Sequence, residues 1–161
     1  MKRVVIIFMV AFICVFTCGC VGGTKMPFNG EVEFHSISFT VPERFIRDST
    51  QSTEDFWVFE NGNYSEYILI SRKDIVGDTS SLLDDYVESM KEVNANSERT
   101  TFLDGDAVLS TYYLEDVLCQ EILFSYDKSF YAVALRGGDE SSFKEITDTI
   151  KLVKTSEKVE A

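Results

Sequence analysis

The sequence predicts an α+β fold in which an antiparallel β-sheet has helices packed on both of its faces. Three strand-like runs, 107–114, 117–126 and 130–136, follow one another with gaps of two or three residues, as in a meander. Apolar residues occupy both parities of the middle run, whereas a sheet covered on one side alternates apolar with polar residues. Two amphipathic stretches elsewhere suffice to cover both faces; the alternative is that a partner covers one of them.

The first twenty residues have the pattern of an export signal. Lys2 and Arg3 precede thirteen uninterrupted apolar residues, 4–16, and the small residue Gly19 precedes Cys20. A basic start, a short apolar core and a small-residue cleavage site are typical of a secretory signal peptide. The apolar core is shorter than the roughly 20 residues that span a bilayer. An uncleaved membrane helix, the alternative, would need residues 17–21 to extend the span.

The end of this segment resembles the lipobox of bacterial lipoproteins, in which a small residue precedes the cysteine that is lipidated. Gly19-Cys20 supplies the two most informative positions, while Thr17 and Cys18 depart from the usual aliphatic and small residues. The resemblance implies that Cys20 is the lipidated N-terminus of the mature chain, a palmitate-type modification. Acyl chains contribute about 0.8 kcal/mol per buried methylene, so several chains on one residue hold a protein firmly to a membrane.

The charge of the mature chain argues against nucleic-acid binding. Residues 1–19 contain two basic residues and no acidic residue, so the remaining 142 residues carry 13 basic and 27 acidic residues and a net charge of −14. Such a chain repels phosphate backbones. Its length is that of a single domain with a real core. We therefore expect no nucleic-acid partner, and an acidic surface that keeps an exported protein soluble.

Four segments are expected along the chain. Residues 1–19 form the lipoprotein signal peptide, and residues 20–30, which include three glycines and a proline, form the lipidated N-terminus and a flexible tether. Residues 31–153 form the folded domain, and residues 154–161 are a polar C-terminal tail. A ten-residue tether reaches at most about 35 Å, which keeps the domain close to the membrane.

The first half of the domain is predicted to be strands followed by a helix. Residues 37–41 alternate with period two, and the opposite phase of 32–34 predicts either a bulge at His35 or a separate strand. The step Asn61-Gly62 predicts a tight turn between strands 56–60 and 64–72. Residues 78–81 offer N-cap oxygens to a helix. Its apolar stripe is Leu82, Leu83, Tyr86, Val87, Met90 and Val93.

The second half is predicted to be the meander, preceded by a short strand over 98–103 and followed by a helix. Asp104-Gly105-Asp106 ends the short strand, and Glu115-Asp116 and residues 127–129 are turns of the meander. Gly137-Gly138-Asp139 stops the sheet and caps the last helix, whose apolar face is Phe143, Ile146 and Ile150.

Residues that could carry chemistry are few and lack catalytic spacing. His35 is the single imidazole of the chain and is expected to be a hydrogen-bonded or exposed residue at a strand end. Cys119 lies in an apolar strand with no basic residue adjoining it in sequence, which favours a buried thiol over a nucleophile. Asp104-Gly105-Asp106 does not match the ligand spacing of a calcium loop. We therefore expect no catalytic residue, no metal site and no cofactor.

Aromatic side chains are the remaining candidates for an interaction surface. Trp57, Tyr64 and Tyr67 crowd the predicted hairpin, and Tyr112 lies on another strand. Aromatic residues on a sheet more commonly pack across strands. Where they are exposed, they mark contact surfaces for a protein or a glycan.

The order of these elements resembles the PsbP-like superfamily. The resemblance rests on the phrase ISFTVPERF, on Trp57 in the next strand, and on a helix, a meander and a closing FKEITDTIKLV helix, over residues 31–153. It is nearest to small bacterial lipoproteins of that fold, including the DcrB-like group. It implies an α/β/α sandwich and an accessory or scaffolding role without enzymatic activity, and it implies no functional residue.

The function expected from the sequence is that of a membrane-anchored lipoprotein on the extracytoplasmic face of a bacterial cell membrane. It would act as a non-catalytic interaction or accessory module, with the membrane as one partner through its lipid and an envelope protein as another. The alternative is an extracytoplasmic binder of a small ligand, a glycan or a divalent cation, seated between sheet and helix. A hydrolase based on His35 is disfavoured, because the chain lacks a nucleophile elbow.

Overall fold

The computed structural model describes residues 26–27 and 30–153, and within them the chain forms two antiparallel sheets and two helices. The predicted signal peptide, the predicted lipidation site Cys20 and the predicted C-terminal tail lie outside these residues. The helices are α1 (Thr79–Met90) and α2 (Glu140–Thr147), and a 3₁₀ turn follows α1 at Lys91–Val93. The strands are β1 (Met26–Pro27), β2 (Gly30–Phe34), β3 (Ile37–Val41), β4 (Phe45–Arg47), β5 (Phe56–Asn61), β6 (Tyr67–Asp74), β7 (Asn96–Phe102), β8 (Gly105–Leu114), β9 (Val117–Tyr126), β10 (Ser129–Arg136) and β11 (Lys151–Leu152).

The large sheet has eight strands in the order β1-β4-β5-β6-β10-β9-β8-β7. The predicted meander is confirmed: β8, β9 and β10 pair in sequence, with Leu114 opposite Val117 and Ser129 opposite Tyr126. The two-residue turns between these strands place Glu115, Asp116, Asp127 and Lys128 at positive φ. Paired positive φ values suit the right-handed twist of the flanking strands, which fixes the register of the meander.

Helix α1 covers the β8–β10 part of one face of the large sheet, whereas Val58, Leu69 and Ala134 form a separate cluster on that face without helix residues. The N-cap is Asp78, whose carboxylate accepts a hydrogen bond from the Ser81 backbone N–H at 2.8 Å. Leu83, Tyr86 and Met90 are the buried residues of α1. They form one core with the side chains of β8, β9 and β10 on this face: Val108, Tyr112, Cys119, Leu123, Phe130 and Ala132.

The other face is where the predicted fold needs correction. Helices on both faces are not supported, because a three-stranded sheet of order β11-β3-β2 supplies much of the second layer. Phe34, Ile37 and Phe39 of this small sheet are fully buried against the large one. Helix α2 adds Phe143 and Ile146 to the same core. It is shorter than the predicted closing helix, because it ends at Thr147 and the chain then pairs with β3 as β11, so Ile150 lies beyond the helix. The fold is therefore richer in sheet than an α/β/α sandwich, because the β2–β3 hairpin already provides the apolar layer.

Two turns differ from or refine the sequence predictions. The phase change at residue 35 is a hairpin turn between two separate strands, with His35 at a φ of 54°. The β5–β6 hairpin is confirmed, but its connection is longer than the predicted Asn-Gly turn, since the strands end at Asn61 and resume at Tyr67. The Asn61 side chain organises this loop by accepting hydrogen bonds from the backbone N–H groups of Ser65 and Glu66.

The first described residues are joined to the domain. Met26 and Pro27 lie inside the segment predicted as a tether, and they pair antiparallel with Arg47 and Ile46 of β4. Gly30, the last residue of that segment, begins β2. Residue 26 is thus at the β4 edge of the large sheet.

Gly137 lies where β10 leaves the sheet, and its backbone requires a residue without a side chain. Its φ is +88°, and a Cβ placed there would lie 1.9 Å from the Ser65 carbonyl oxygen. Its N–H donates to the Leu118 carbonyl oxygen at 2.8 Å. This glycine lets the chain pass between the β5–β6 loop and β9 before α2 begins.

Substituting Gly137 by Ala should destabilise the protein by more than about 2 kcal/mol, because the Cβ meets backbone and the φ is unfavourable for an L-residue. Gly62→Ala is the matched control: its Cβ would meet no atom within 4 Å, so a change within about 0.5 kcal/mol is expected. Urea unfolding of both variants measures the difference. Equal stabilities would contradict the close approach at Gly137.

Candidate functional site

A buried polar cluster lies between α1 and the large sheet. Its centre is Glu121 of β9, whose cross-strand neighbours are Ser110 on β8 and Ala134 on β10. Glu121 lies on the same face as Cys119 and Leu123, because side chains alternate along a strand. The carboxyl group is thus inside an otherwise apolar core, 6% exposed.

Two tyrosines hold the Glu121 carboxylate. Tyr112 of β8 donates to an oxygen of Glu121 at 3.4 Å, and Tyr86, which comes from α1, also hydrogen-bonds to it. The Tyr86 hydroxyl in turn hydrogen-bonds with Ser110, and the Ser110 hydroxyl lies 2.8 Å from that of Ser97 on β7. The cluster therefore joins α1 to the three strands β7, β8 and β9.

Burial decides the protonation of this cluster. It raises the pKa of Glu121 to about 7, although the hydrogen bonds from Tyr86 and Tyr112 favour the ionised form. Burial and the neighbouring carboxylate raise the pKa of Tyr86 and of Tyr112 as well, so both remain hydroxyl donors. No Lys, Arg or His of the described chain forms an ion pair with Glu121. The cluster suits a structural connection whose strength depends on pH.

Cys119 is buried, as the sequence predicts, but its surroundings differ from those expected. Arg136 of β10 lies directly across from it, although no basic residue is near Cys119 in sequence. Burial nevertheless raises the pKa of the thiol to about 11, and this effect exceeds the lowering by Arg136. A thiol that is neutral at physiological pH is a poor nucleophile.

His35 is hydrogen-bonded at a strand end, as predicted. Its Nε2 lies 3.0 Å from the Glu54 carbonyl oxygen and 3.0 Å from an oxygen of Asp55. Asp55 also pairs with the Arg72 guanidinium at 3.3 Å. These contacts tie the β2–β3 turn to β5 and β6. Across residues 26–27 and 30–153, no group of three or more His, Cys, Asp and Glu side chains is arranged to hold a metal ion.

The four aromatic residues of the predicted interaction surface do not lie together. Trp57 is half-buried on the face that meets the small sheet, whereas Tyr112 is buried on the face that meets α1. Tyr67 lies half-buried on the α1 face of β6, and Tyr64 is 54% exposed in the β5–β6 loop. Tyr113, which follows Tyr112 on β8, is 67% exposed. Among residues 30–153, Tyr64 and Tyr113 are thus the aromatic residues with more than half of their surface accessible to a partner.

Arg47 and Trp57 form a partly exposed cation–π pair. The Arg47 guanidinium lies over the Trp57 ring, 3.8 Å from its centroid. The indole also makes an edge-to-face contact with Phe34, with ring centroids 4.9 Å apart. Sequence reasoning selected Trp57 and missed Arg47, because the two residues are ten positions apart and meet across β4 and β5.

An open depression of about 490 Å³ lies where the β9–β10 turn approaches the N-terminus of α1. Its lining residues are Ile75, Gly77, Thr79, Ser125, Tyr126, Asp127 and Lys128.

Neither α1 nor α2 has the length and the apolar content that a membrane-spanning helix requires.

Comparison with known proteins identifies the fold. No protein-family model matches the sequence, and no curated protein matches it. The structure is similar to the solution structure of cyanobacterial PsbP (CyanoP) from Synechocystis, with a TM-score of 0.55 and 12% identity, over 83% of this chain and 98% of that one. It is also similar to a crystal structure from Bacteroides thetaiotaomicron, with a TM-score of 0.50 and 17% identity. That match covers 83% of this chain, which spans half the length of the Bacteroides protein.

Replacing Glu121 by Gln should flatten the pH dependence of stability. A carboxyl group whose folded pKa is raised contributes stability below its unfolded pKa, near 4.5, and this contribution is lost as pH rises through about 7. Gln keeps the shape and accepts the tyrosine hydrogen bonds without ionising. At pH 8 the variant should therefore be more stable than the wild type, by up to the order of 3 kcal/mol.

The measurement is the free energy of unfolding in urea at pH 5 and pH 8. Glu98→Gln, which alters an exposed carboxylate on β7, is the matched control and should leave the pH dependence unchanged. If Glu121→Gln kept the wild-type pH dependence, the buried carboxyl group would not be the source of it.

The match to CyanoP over nearly its whole length, with the antiparallel sheet and two helices described above, shows that the chain has a PsbP-like fold.

Proposed function

We propose that this protein is a lipoprotein anchored at the extracytoplasmic face of a bacterial membrane, where it serves as a non-catalytic interaction or accessory module. The observation that carries the proposal is the N-terminal pattern, in which two basic residues and an apolar run of thirteen lead to Gly19-Cys20. We further propose that it is one of the DcrB-like lipoproteins. This assignment is supported by that pattern together with the PsbP-like fold.

The absence of catalytic activity is proposed from the roles of the reactive side chains. The Glu121 carboxyl group is enclosed between α1 and the sheet, where a substrate has no access. Cys119 is buried and its pKa is raised to about 11 by burial. His35 is engaged by Glu54 and Asp55. Glu121 and His35 hold elements of the fold together, and Cys119 is packed in the core, which supports an accessory role rather than catalysis.

The accessory role requires a partner that reaches the exposed aromatic residues. Tyr64 and Tyr113 are both more than half exposed, and exposed aromatic residues are enriched at protein interfaces. Photo-crosslinking from these two positions in intact cells would identify an envelope protein in contact with them.

A ligand binder remains the second candidate, favoured by the depression beside the N-terminus of α1. A small polar ligand or a glycan unit could occupy it and contact Thr79 and Lys128. Saturating amounts of such a ligand would raise the melting temperature of the protein. An accessory module without a ligand would show no such shift.

The lipid anchor is tested by metabolic labelling with a palmitate analogue. The wild-type protein should incorporate the label and fractionate with membranes, and Cys20→Ser should abolish incorporation, because the thioether forms at that sulfur. Cys18→Ser is the matched control and should still be labelled. A wild-type protein that took up no label and fractionated with the cytosol would contradict the proposal.

A further inference from the structure

The N-terminal strand places one edge of the domain next to the proposed anchor. Met26 of β1 is opposite Arg47 of β4, and the Cα atoms of such antiparallel pairs are about 5 Å apart. Only six peptide units separate Cys20 from Met26, and they span at most about 20 Å when fully extended. If Cys20 is lipidated, Arg47 is therefore near the membrane surface. This step rests on the proposed function.

The guanidinium group of Arg47 has no acidic partner among the described residues. This planar group stacks on Trp57 at 3.8 Å, no carboxylate lies within ion-pair distance, and its Nε is buried with no hydrogen-bond partner. Burial alone lowers the pKa of Arg47, because no nearby negative charge compensates it. The adjacent Asp48 is occupied by its own loop, since its carboxylate accepts hydrogen bonds from Thr50 and Gln51.

The neighbouring arginines provide a contrast. Arg44 pairs with Glu66 and Glu145, and Arg72 pairs with Asp55 and Asp74. Arg99, at the opposite edge of the sheet, pairs with Asp84 and Asp106. In contrast to these arginines, Arg47 has a charge that no acidic side chain of the described residues neutralises. It is therefore available to bind an external anion.

We propose that the β1–β4–β5 edge is a membrane-contact surface, on which Arg47 binds the phosphate of a phospholipid headgroup and Trp57 lies at the headgroup level. Guanidinium groups bind phosphate oxygens through paired hydrogen bonds, and tryptophan is enriched at the membrane–water interface. The net charge of −14 repels the rest of the domain from an anionic surface. The contact thereby orients the domain, with the β7 edge directed away from the membrane.

Trp57 is the single tryptophan of the sequence and reports on this surface directly. The full lipidated protein is reconstituted in phosphatidylcholine–phosphatidylglycerol vesicles that carry a nitroxide either at the headgroup or deep in the acyl chains. Tryptophan emission is compared with that in nitroxide-free vesicles at two protein-to-lipid ratios. Vesicle flotation measures anchoring separately.

Headgroup nitroxide should quench the emission roughly twofold, as expected for an indole at the interface, and the deep nitroxide should have little effect. Arg47→Gln should lose most of this quenching while it still floats with the vesicles. Arg47→Lys should retain part of it, because the charge remains without the planar fork. Arg99→Gln, the matched control at the far edge, should be quenched as the wild type is.

Anchored protein with unquenched Trp57, or equal quenching in Arg47→Gln, would overturn the membrane contact and leave the anchor intact. Emission that changed with the protein-to-lipid ratio but not with the nitroxide would indicate that a second copy of the protein covers this edge. That result would also overturn the membrane contact. Failure of the wild-type protein to float with the vesicles would instead overturn the proposed function, and this inference with it.

Discussion

The need to bury both faces of the central strands determines the architecture. Seven consecutive residues of β10, from Ser129 to Leu135, are buried, so alternate side chains enter two different cores. Helix α1 closes one core, and the β2–β3 hairpin, β11 and α2 close the other. Neither layer can be removed without exposing apolar surface of the same strands, at about 25 cal/mol per Å². The positions of the outer elements follow from this requirement.

The meander, α1 and the start of α2 could be predicted because their signals are local, whereas the end of α2 was predicted too late in the chain. Two-residue turns, apolar periodicity and aspartate N-caps each depend on residues within a few positions of one another. The second layer could not be predicted in the same way. The period-two run at 37–41 indicates a strand, but nothing in it indicates whether that strand joins the large sheet or packs on it. The Asn-Gly step misled the loop prediction, because the Asn61 side chain stabilises a longer connection.

The polar surroundings of Glu121 and Cys119 depend on contacts between residues far apart in the sequence. The sequence alone therefore could not predict them. Glu121 within an apolar run was a signal of a buried carboxyl group, but Tyr86, which binds it, is 35 positions away. Arg136 faces Cys119 only through the β9–β10 register. The Glu121 carboxyl group and the Arg47 guanidinium, neither of which has an ion-pair partner among the described residues, also differ in their structural roles. Glu121 connects α1 to the sheet inside the domain, whereas Arg47 presents an uncompensated charge at the edge where the chain leaves for its proposed anchor.

Hydrogen exchange of the backbone amides in wild-type protein and in Phe39→Leu tests the shared burial most directly. Phe39 is fully buried in the small sheet and shares a core with residues of β9 and β10. If both layers depend on the central strands, this variant should accelerate exchange in β9, β10 and α1 by a common factor, because these amides exchange by global unfolding. Acceleration confined to β2 and β3 would show that the layers open independently, and would contradict the account.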